Sequence, residues 1–322
     1  MIWKYIFEAL PTPKILDIPY AGVAISDTAI RCIQFGMKDS MLFIEKFSEK
    51  PLAPGIIVSG QINKMEEVVS TLEELKKELH LDYVKISLPE EKAYLFTAKI
   101  PIIRQEEVRS AIDSKIEENV PVSPAELIFD YRIIDHRAKG HLDVVVSTLP
   151  ITLVDTYVNM AKSAKLTLLS LEIESQAIAR ALLPKKVDVT SLIVHYGPEK
   201  VGLYVISNGL VHFTSTIPTM GQSKNNSEFL LQEIKKLYVY WHTLKENVDK
   251  PEKKISEILV CGENFNDEAV NYIRANNVTE VMVGNVWLNA FDINKSLPII
   301  PFKDSLKYAA AVGLALPSDI LI

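Results

Sequence analysis

The stretch YAGVAISDTAIRCIQF, residues 20–35, decides how this sequence is interpreted. It predicts two strands, GVAI from Gly22 and TAIRCIQF from Thr28, joined at Ser26-Asp27, with apolar residues alternating along the second strand. The turn between them stands where a phosphate-binding loop would lie. Whether this loop can hold a nucleotide therefore separates an enzyme from a docking protein.

The elements that follow this hairpin occur twice in the chain. The first series continues with a strand MLFIEKF from Met41 and a helix over residues 64–81, where Val68, Leu72, Leu75 and Leu79 recur at helical spacing. The second series consists of LIVHY from Leu192, VGLYVIS from Val201, LVHFTSTI from Leu210 and a helix from Phe229. Its last two strands are separated by Asn208-Gly209, a strong hairpin signal. The repetition predicts two related α/β halves that face each other across a cleft.

A different pattern separates the two halves. Residues 98–166 read as strand, helix, strand, turn, strand, helix, and Pro121 and Pro124 end the first of these helices. This pattern predicts a compact α+β insert. The predicted organisation is an N-terminal segment (1–14), a first half (15–92 and 167–188), an insert (93–166) and a second half (189–322).

Composition restricts the functional classes. The 322 residues are 48% hydrophobic, carry a net charge of −6 and contain no run of Lys or Arg, which argues against nucleic-acid binding. The two cysteines, Cys32 and Cys261, lie in apolar stretches and predict buried thiols. No apolar run approaches the ~20 residues that a membrane span needs. The aromatic start, MIWKYIFEALPTP, predicts a short helix that either docks on the body or touches a membrane surface.

Four stretches together resemble the type IV pilus assembly protein PilM family, relatives of FtsA with an actin-like ATPase fold. They are PLAPGIIVSGQI from Pro51, residues 98–134 with the helix end from Glu118 to Pro121, DTYVNMAKSAKLTLLSLEIESQAIARAL from Asp155, and NGLVHFTSTIPTMG from Asn208. The resemblance implies an α/β fold, the duplicated actin-like (ribonuclease H-like) fold. It also implies a small α+β insert of the SHS2 (1C) type in the first half and a reduced helical subdomain in the second.

The nucleotide-binding residues of this family are only partly present. The Asp-Ile-Gly-Ser of the first phosphate loop aligns with Ala24, Ile25, Ser26 and Asp27, and the Asp-x-Gly of the second aligns with residues 195–197, His-Tyr-Gly. The residues that the resemblance assigns to a degenerate nucleotide site are Ser26, Asp27, Thr28, Gly197, Lys200, Gly221 and Gly262.

These replacements remove chemistry that ATP turnover needs. Magnesium prefers oxygen ligands, so Ala24 and His195 are poor substitutes for carboxylates. Asp27 would repel a phosphate charge at ~4 Å by about 1 kcal/mol in water and about 4 kcal/mol at an effective dielectric constant of 20. Lys200 and Arg31 could attract an anion, although solvated surface cations are the simpler interpretation. The sequence predicts no catalytic residue and no metal site, with ATP and Mg²⁺ as the alternative cofactors.

The resemblance implies a non-enzymatic adaptor of the type IV pilus machinery, or of a related secretion or competence system. Such an adaptor would lie in the cytoplasm at the inner face of the membrane and capture the cytoplasmic tail of a PilN-like inner-membrane protein. It would also contact the assembly ATPase and a PilC-like membrane core protein. The candidate peptide contacts, with core packing as their alternative, are Leu95, Phe96, Ile112 and Ile116. An ATP-binding actin-like ATPase and an FtsA-like filament-forming protein remain alternatives.

Overall fold

The computed structural model describes residues 18–38, 41–136, 140–184, 189–218, 226–245, 247–248, 250–276, 279–291 and 298–317. The strands are β1 (Ala21–Ile25), β2 (Ala29–Lys38), β3 (Met41–Pro51), β4 (Ile57–Val58), β5 (Gln61–Ile62), β6 (Tyr83–Leu88), β7 (Tyr94–Pro101), β8 (Leu127–His136), β9 (His141–Pro150), β10 (Thr167–Ile173), β11 (Thr190–Tyr196), β12 (Lys200–Ser207), β13 (Leu210–Pro218), β14 (Ile255–Gly262) and β15 (Glu280–Val283). The helices are α1 (Met65–Leu79), α2 (Gln105–Asn119), α3 (Ile151–Ser163), α4 (Glu174–Leu182), α5 (Asn226–Thr243), α6 (Asp267–Asn276), α7 (Phe302–Ser305) and α8 (Ala309–Ala315).

Two five-stranded sheets have the same topology. The order is β3-β2-β1-β6-β10 in the first and β13-β12-β11-β14-β15 in the second. In both, the three meander strands are antiparallel and the remaining two continue the sheet in parallel. Asn208 and Gly209 have φ of 53° and 71°, the positive values that a two-residue hairpin turn requires. The predicted duplication is therefore confirmed.

Each meander is followed by a helix whose apolar face covers its sheet. Helix α1 buries Val68, Leu72 and Leu75, as its spacing predicts. Helix α5 buries Leu230, Ile234 and other side chains in the core of the second half. The two helices occupy equivalent places, before β6 and before β14 respectively.

The insert forms a separate three-stranded sheet, in the order β7-β9-β8, which α2 covers. Helix α3 falls within the residues that the sequence assigns to the insert, but Tyr157 and Met160 of this helix lie in the core of the first half. Its place before β10 matches the place of α6 before β15. The inserted chain thus runs from the end of β6 to the end of β9.

The two halves are joined where α4 and α8 cross. A Cβ atom added at Gly313 of α8 would lie 1.7 Å from the carbonyl oxygen of Ala177 in α4, so the two backbones are in direct contact. A Cβ at Gly22 of β1 would likewise lie 2.2 Å from the carbonyl oxygen of Ala311. Because neither glycine can be replaced without displacing backbone, the joint behind the cleft is tightly packed.

Among the described helices, none is both long and apolar enough to cross a bilayer. Cys32 and Cys261 are fully buried free thiols, as predicted.

Candidate functional site

A cleft opens where the β1–β2 turn of the first half faces the β11–β12 turn of the second. Its empty volume, including the opening to solvent, is about 560 Å³. It is lined by Ala24, Ser26, Asp27, Thr28, Arg31, Glu174, His195, Gly197, Pro198, Glu199, Lys200, Glu263, Lys307 and Ala310. The structure thus brings together five of the predicted nucleotide-site residues. Gly262 immediately precedes the lining residue Glu263, and Gly221 lies outside the described residues.

The first turn uses its polar groups to hold its own fold. The Ser26 hydroxyl donates to the carbonyl oxygen of Ala29 at 3.0 Å and accepts the amide N–H of Ala29 at 3.1 Å. The Asp27 carboxylate accepts the amide N–H groups of Ser59 and Gly60 at 2.8 and 3.0 Å. Both of those residues have positive φ, so Asp27 satisfies the donors of a tight turn. Asp27 therefore has a structural partner at the place where a phosphate would be repelled.

The second turn is closed by backbone. The amide N–H of Gly197 donates to the carbonyl oxygen of Lys200 at 2.8 Å, and a Cβ at this glycine would lie only 3.0 Å from that oxygen. Gly262 has φ of 112°, and a Cβ there would lie 2.3 Å from the carbonyl oxygen of Tyr196. Both glycines are thus explained by close backbone approach, without any ligand.

The two positions where the resemblance implies carboxylates, 24 and 195, offer no negative oxygen. Ala24 is buried in the cleft wall. Burial, together with the charges of Lys200 and Arg31, lowers the pKa of His195 to about 3, so its imidazole is neutral at physiological pH. In the part of the chain that the structure describes, no three His, Cys, Asp or Glu side chains are grouped so as to hold a metal ion.

The cations of the cleft are paired with carboxylates of the same chain, which corrects the interpretation of Lys200 and Arg31 as solvated. Arg31 is only 5% exposed. Its Nε donates to Glu49 at 2.8 Å, and its Nη2 lies 2.5 Å from a carboxylate oxygen of Glu263. Lys200 pairs with Glu91. The sequence offered no sign of these partners, because they are distant along the chain.

Lys307 completes this set of paired cations through its contact with Glu49. Burial alone would raise the pKa of Glu49, but the hydrogen bonds and charges of Lys307 and Arg31 outweigh it and lower the pKa. For Lys200, burial would lower the pKa, but the neighbouring carboxylates of Glu91 and Glu174 raise it. Glu49 and Lys200 are thus held in their charged forms by the opposite charges of their partners.

Glu174 is a cleft residue that sequence reasoning missed. It is the first residue of α4 and faces the two turns. Burial raises its pKa to about 7. Beneath it, the buried Glu90 accepts the amide N–H of Ser175 at 3.0 Å, and burial also raises the pKa of Glu90 to about 7. The sequence signal that could have identified it lies in SLEIESQ, residues 170–176, where Glu174 stands between a predicted strand and a predicted helix. A carboxylate at a helix N-terminus interacts favourably with the helix dipole.

The predicted peptide contacts lie elsewhere, in and around the insert. Ile112 and Ile116 are completely buried between α2 and its sheet, so they form core and not the wall of a groove. Phe96 packs partly buried against the same core, and Leu95 packs between the cores of the two halves. Strand β7 is turned toward the second half, where Thr97 Oγ1 lies 3.4 Å from His212 Nδ1.

Four exposed apolar side chains lie instead on elements that meet at the base of the insert. Ile151 and Val158 are 39% and 40% exposed and lie seven residues apart, on one face of α3. Ile128 of β8 is 47% exposed and pairs with Leu149, two residues before Ile151. Val58 is also exposed, and the turn that follows it contacts α3, since the Tyr157 hydroxyl donates to the Gly60 carbonyl oxygen at 3.4 Å. We call Val58, Ile128, Ile151 and Val158 the junction strip.

Comparisons with known proteins agree with this architecture. The PilM–PilN type IV pilus biogenesis complex contains a chain that superposes with a TM-score of 0.74 at 14% identity, covering 92% of this chain and 98% of that one. The ethanolamine utilization protein EutJ from Carboxydothermus hydrogenoformans gives a TM-score of 0.50 at 14% identity, covering 95% and 90%. These likenesses confirm the predicted actin-like fold.

No curated protein sequence matches the chain significantly. The family model described as "Type IV pilus assembly protein PilM" matches residues 22–238, more than half of the 322 residues. The match spans the first half, the insert and the start of the second half. The chain therefore belongs to the type IV pilus assembly protein PilM family.

Proposed function

We propose that this protein is a non-enzymatic adaptor that captures the cytoplasmic tail of a PilN-like inner-membrane protein in an extended conformation. The observation that carries the proposal is the junction strip, a set of four exposed apolar side chains where the insert meets the first half. The superposable chain in the PilM–PilN complex supports this class of partner. Capture of such a tail would keep the adaptor at the cytoplasmic face of the inner membrane.

Strand β8 offers main-chain groups beside the junction strip. Within the described residues it pairs with β9 alone, so its other edge has no strand partner. An extended peptide that adds to such an edge gains main-chain hydrogen bonds and places alternate side chains against the neighbouring surface. We therefore favour β8 and α3 as the walls of the peptide site, in place of β7 and α2, and Leu95 and Phe96 as their support.

The cleft supports the non-enzymatic part of the proposal. Four carboxylates line it, those of Asp27, Glu174, Glu199 and Glu263, against three cations that are already paired. A triphosphate with Mg²⁺ would have to displace these pairs and would find no carboxylate at position 24 or 195. The assembly ATPase and a PilC-like membrane core protein are further partners that we propose from family membership.

The peptide site is tested by titrating a synthetic peptide of the PilN-like cytoplasmic tail into wild-type protein and Ile151→Asp by calorimetry. The buried charge should weaken binding at least about 30-fold, as expected for an apolar contact at the centre of an interface. Val239→Asp is the matched control, because Val239 is 64% exposed on α5, in the other half. Equal affinities for the three proteins would refute the site. Phe96→Asp is a poorer test, since Phe96 also supports the core of the insert.

A further inference from the structure

The ion pairs of the cleft connect the two halves in both directions. Arg31 of β2 belongs to the first half, and its partner Glu263 follows β14 in the second. Lys200 begins β12 in the second half, and its partner Glu91 lies in the 3₁₀ turn Glu90–Lys92 that leads from β6 into the insert. Lys307 of the second half also pairs across the cleft with Glu49 of β3 in the first half. Arg31–Glu263 and Lys200–Glu91 differ from this third pair because together they run in opposite directions, with one cation and one carboxylate from each half.

These pairs are only partly hydrated. The side chain of Arg31 is 6% exposed and that of Glu263 is 30% exposed. The values for Lys200 and Glu91 are 22% and 14%. Ion pairs shielded in this way are screened less by salt than exposed pairs, and removal of one partner leaves a poorly hydrated charge. They are therefore screened less by solvent than surface pairs such as Lys303–Asp267, whose side chains are 71% and 62% exposed.

We infer that these two pairs form a clasp that fixes the halves in one relative position without any bound ligand. Glu263 and Glu91 give Arg31 and Lys200 the negative partners that an anion in the cleft would otherwise supply. Opening the cleft requires both pairs to separate, together with the third pair that crosses it, Lys307–Glu49. This conformational device is independent of whether a peptide binds at the junction strip.

The clasp also fixes the base of the insert. Glu91 is adjacent to Glu90, whose carboxylate accepts the amide N–H of Ser175 at the start of α4. The same 3₁₀ turn therefore holds β12 of the second half through Glu91 and the helix at the joint through Glu90. Movement of the second half away from the first would strain the point where the insert begins.

The alternative is that the crossing of α4 and α8, with the Lys307–Glu49 pair, sets the position of the halves without the clasp. Spin labels at Lys77→Cys on α1 and Glu268→Cys on α6 distinguish the two cases by pulsed electron paramagnetic resonance. Both positions are exposed, and the native Cys32 and Cys261 are buried, so the labels react at the introduced thiols. The distance distribution is compared between the labelled parent, the same protein with Glu91→Gln and Glu263→Gln, and the control Glu233→Gln. Glu233 pairs with Lys236 within α5 and does not bridge the halves.

The clasp predicts one narrow distribution in the labelled parent and in the Glu233→Gln control. In the double variant, the fraction of molecules outside the main peak should rise about tenfold, as expected for two weakened pairs. An unchanged distribution in a folded double variant would overturn the inference. Should the double variant fail to fold, the labelled parent is measured between about 0.05 and 1 M NaCl, where the Debye length falls to about 3 Å. Broadening at high salt supports the clasp, and a constant distribution refutes it.

Discussion

The cleft and the junction strip differ in whether their side chains find partners within the protein. In the cleft, Arg31 and Lys200 each have carboxylate partners, and Asp27 caps a neighbouring turn. At the junction strip, Ile128 and Ile151 are exposed without apolar neighbours to cover them fully. The cleft is therefore a concavity whose cations are already paired, whereas the junction strip leaves apolar side chains exposed. The comparison teaches that a binding site is better located by what the fold leaves uncovered than by the size of a pocket.

The largest effect is expected from breaking the joint behind the cleft with Gly313→Ala. The new methyl group would lie 1.7 Å from the carbonyl oxygen of Ala177, so α4 and α8 must separate, and we expect a loss of about 3 kcal/mol in the free energy of unfolding. Urea denaturation followed by circular dichroism measures it.

The control for this variant is Gly55→Ala, where φ is 83° but no atom lies within 4 Å of the new Cβ. This variant introduces backbone strain without a steric clash, and it should lower the free energy of unfolding by about 1 kcal/mol. Equal losses for the two variants would show that the joint is looser than its geometry indicates. Stability at the junction strip should change much less on substitution, since its side chains are exposed.

A smaller, pH-dependent effect is expected for Glu174→Gln in the cleft. Burial raises the pKa of Glu174 to about 7, above the 4.5 of an unperturbed glutamate, so the folded protein binds this proton more tightly than the unfolded chain. The stability that the protonated group contributes is complete below about pH 4.5 and is lost as the pH rises through about 7.

The neutral Gln side chain avoids this loss. Glu174→Gln should therefore match wild type at pH 4.5 and exceed it at pH 8.5, by on the order of 1 kcal/mol in the free energy of unfolding. Urea titrations at the two pH values measure the difference. Glu117→Gln on α2 is the control, because Glu117 is exposed and its replacement should have the same effect at both pH values. Stabilisation of Glu174→Gln at pH 4.5 alone would contradict the assignment.

The smallest expected effect concerns nucleotide: Mg²⁺-ATP should leave the melting temperature unchanged. A ligand present at about 100 times its dissociation constant would add about 2.7 kcal/mol of stability. Differential scanning fluorimetry with up to millimolar nucleotide, compared with Mg²⁺ alone, measures the response. A saturable rise with nucleotide would show that the cleft binds ATP, and would remove the contrast with the junction strip.

Much of the fold could be predicted from the sequence because its signals are local. Asn208 and Gly209 have the positive φ values that their residue types favour. The apolar spacing of Val68, Leu72 and Leu75 produced the helix face that covers the first sheet. Repetition of this series predicted the duplication, since a meander and its covering helix are specified within one stretch of chain.

The candidate sites could be predicted only in part. The absence of carboxylates at positions 24 and 195 was visible, but the partners of Arg31 and Lys200 were not. Isoleucine at positions 112 and 116 is compatible with either a binding groove or a buried core. Their burial depends on the sheet that packs against α2. Glu174 was missed because its place in the cleft depends on two turns that are distant from it in the sequence.

The sequence by itself determined which segments form strands and helices, that the series occurs twice, and that positions 24 and 195 carry no carboxylate. Backbone propensity and the spacing of apolar residues act over a few neighbours, so one stretch of chain is enough to specify them. The tertiary structure alone decided which charges meet across the cleft and which apolar side chains stay exposed at the base of the insert. Glu91 and Lys200 are separated by 109 positions along the chain, and Coulomb attraction between them depends on their distance in space.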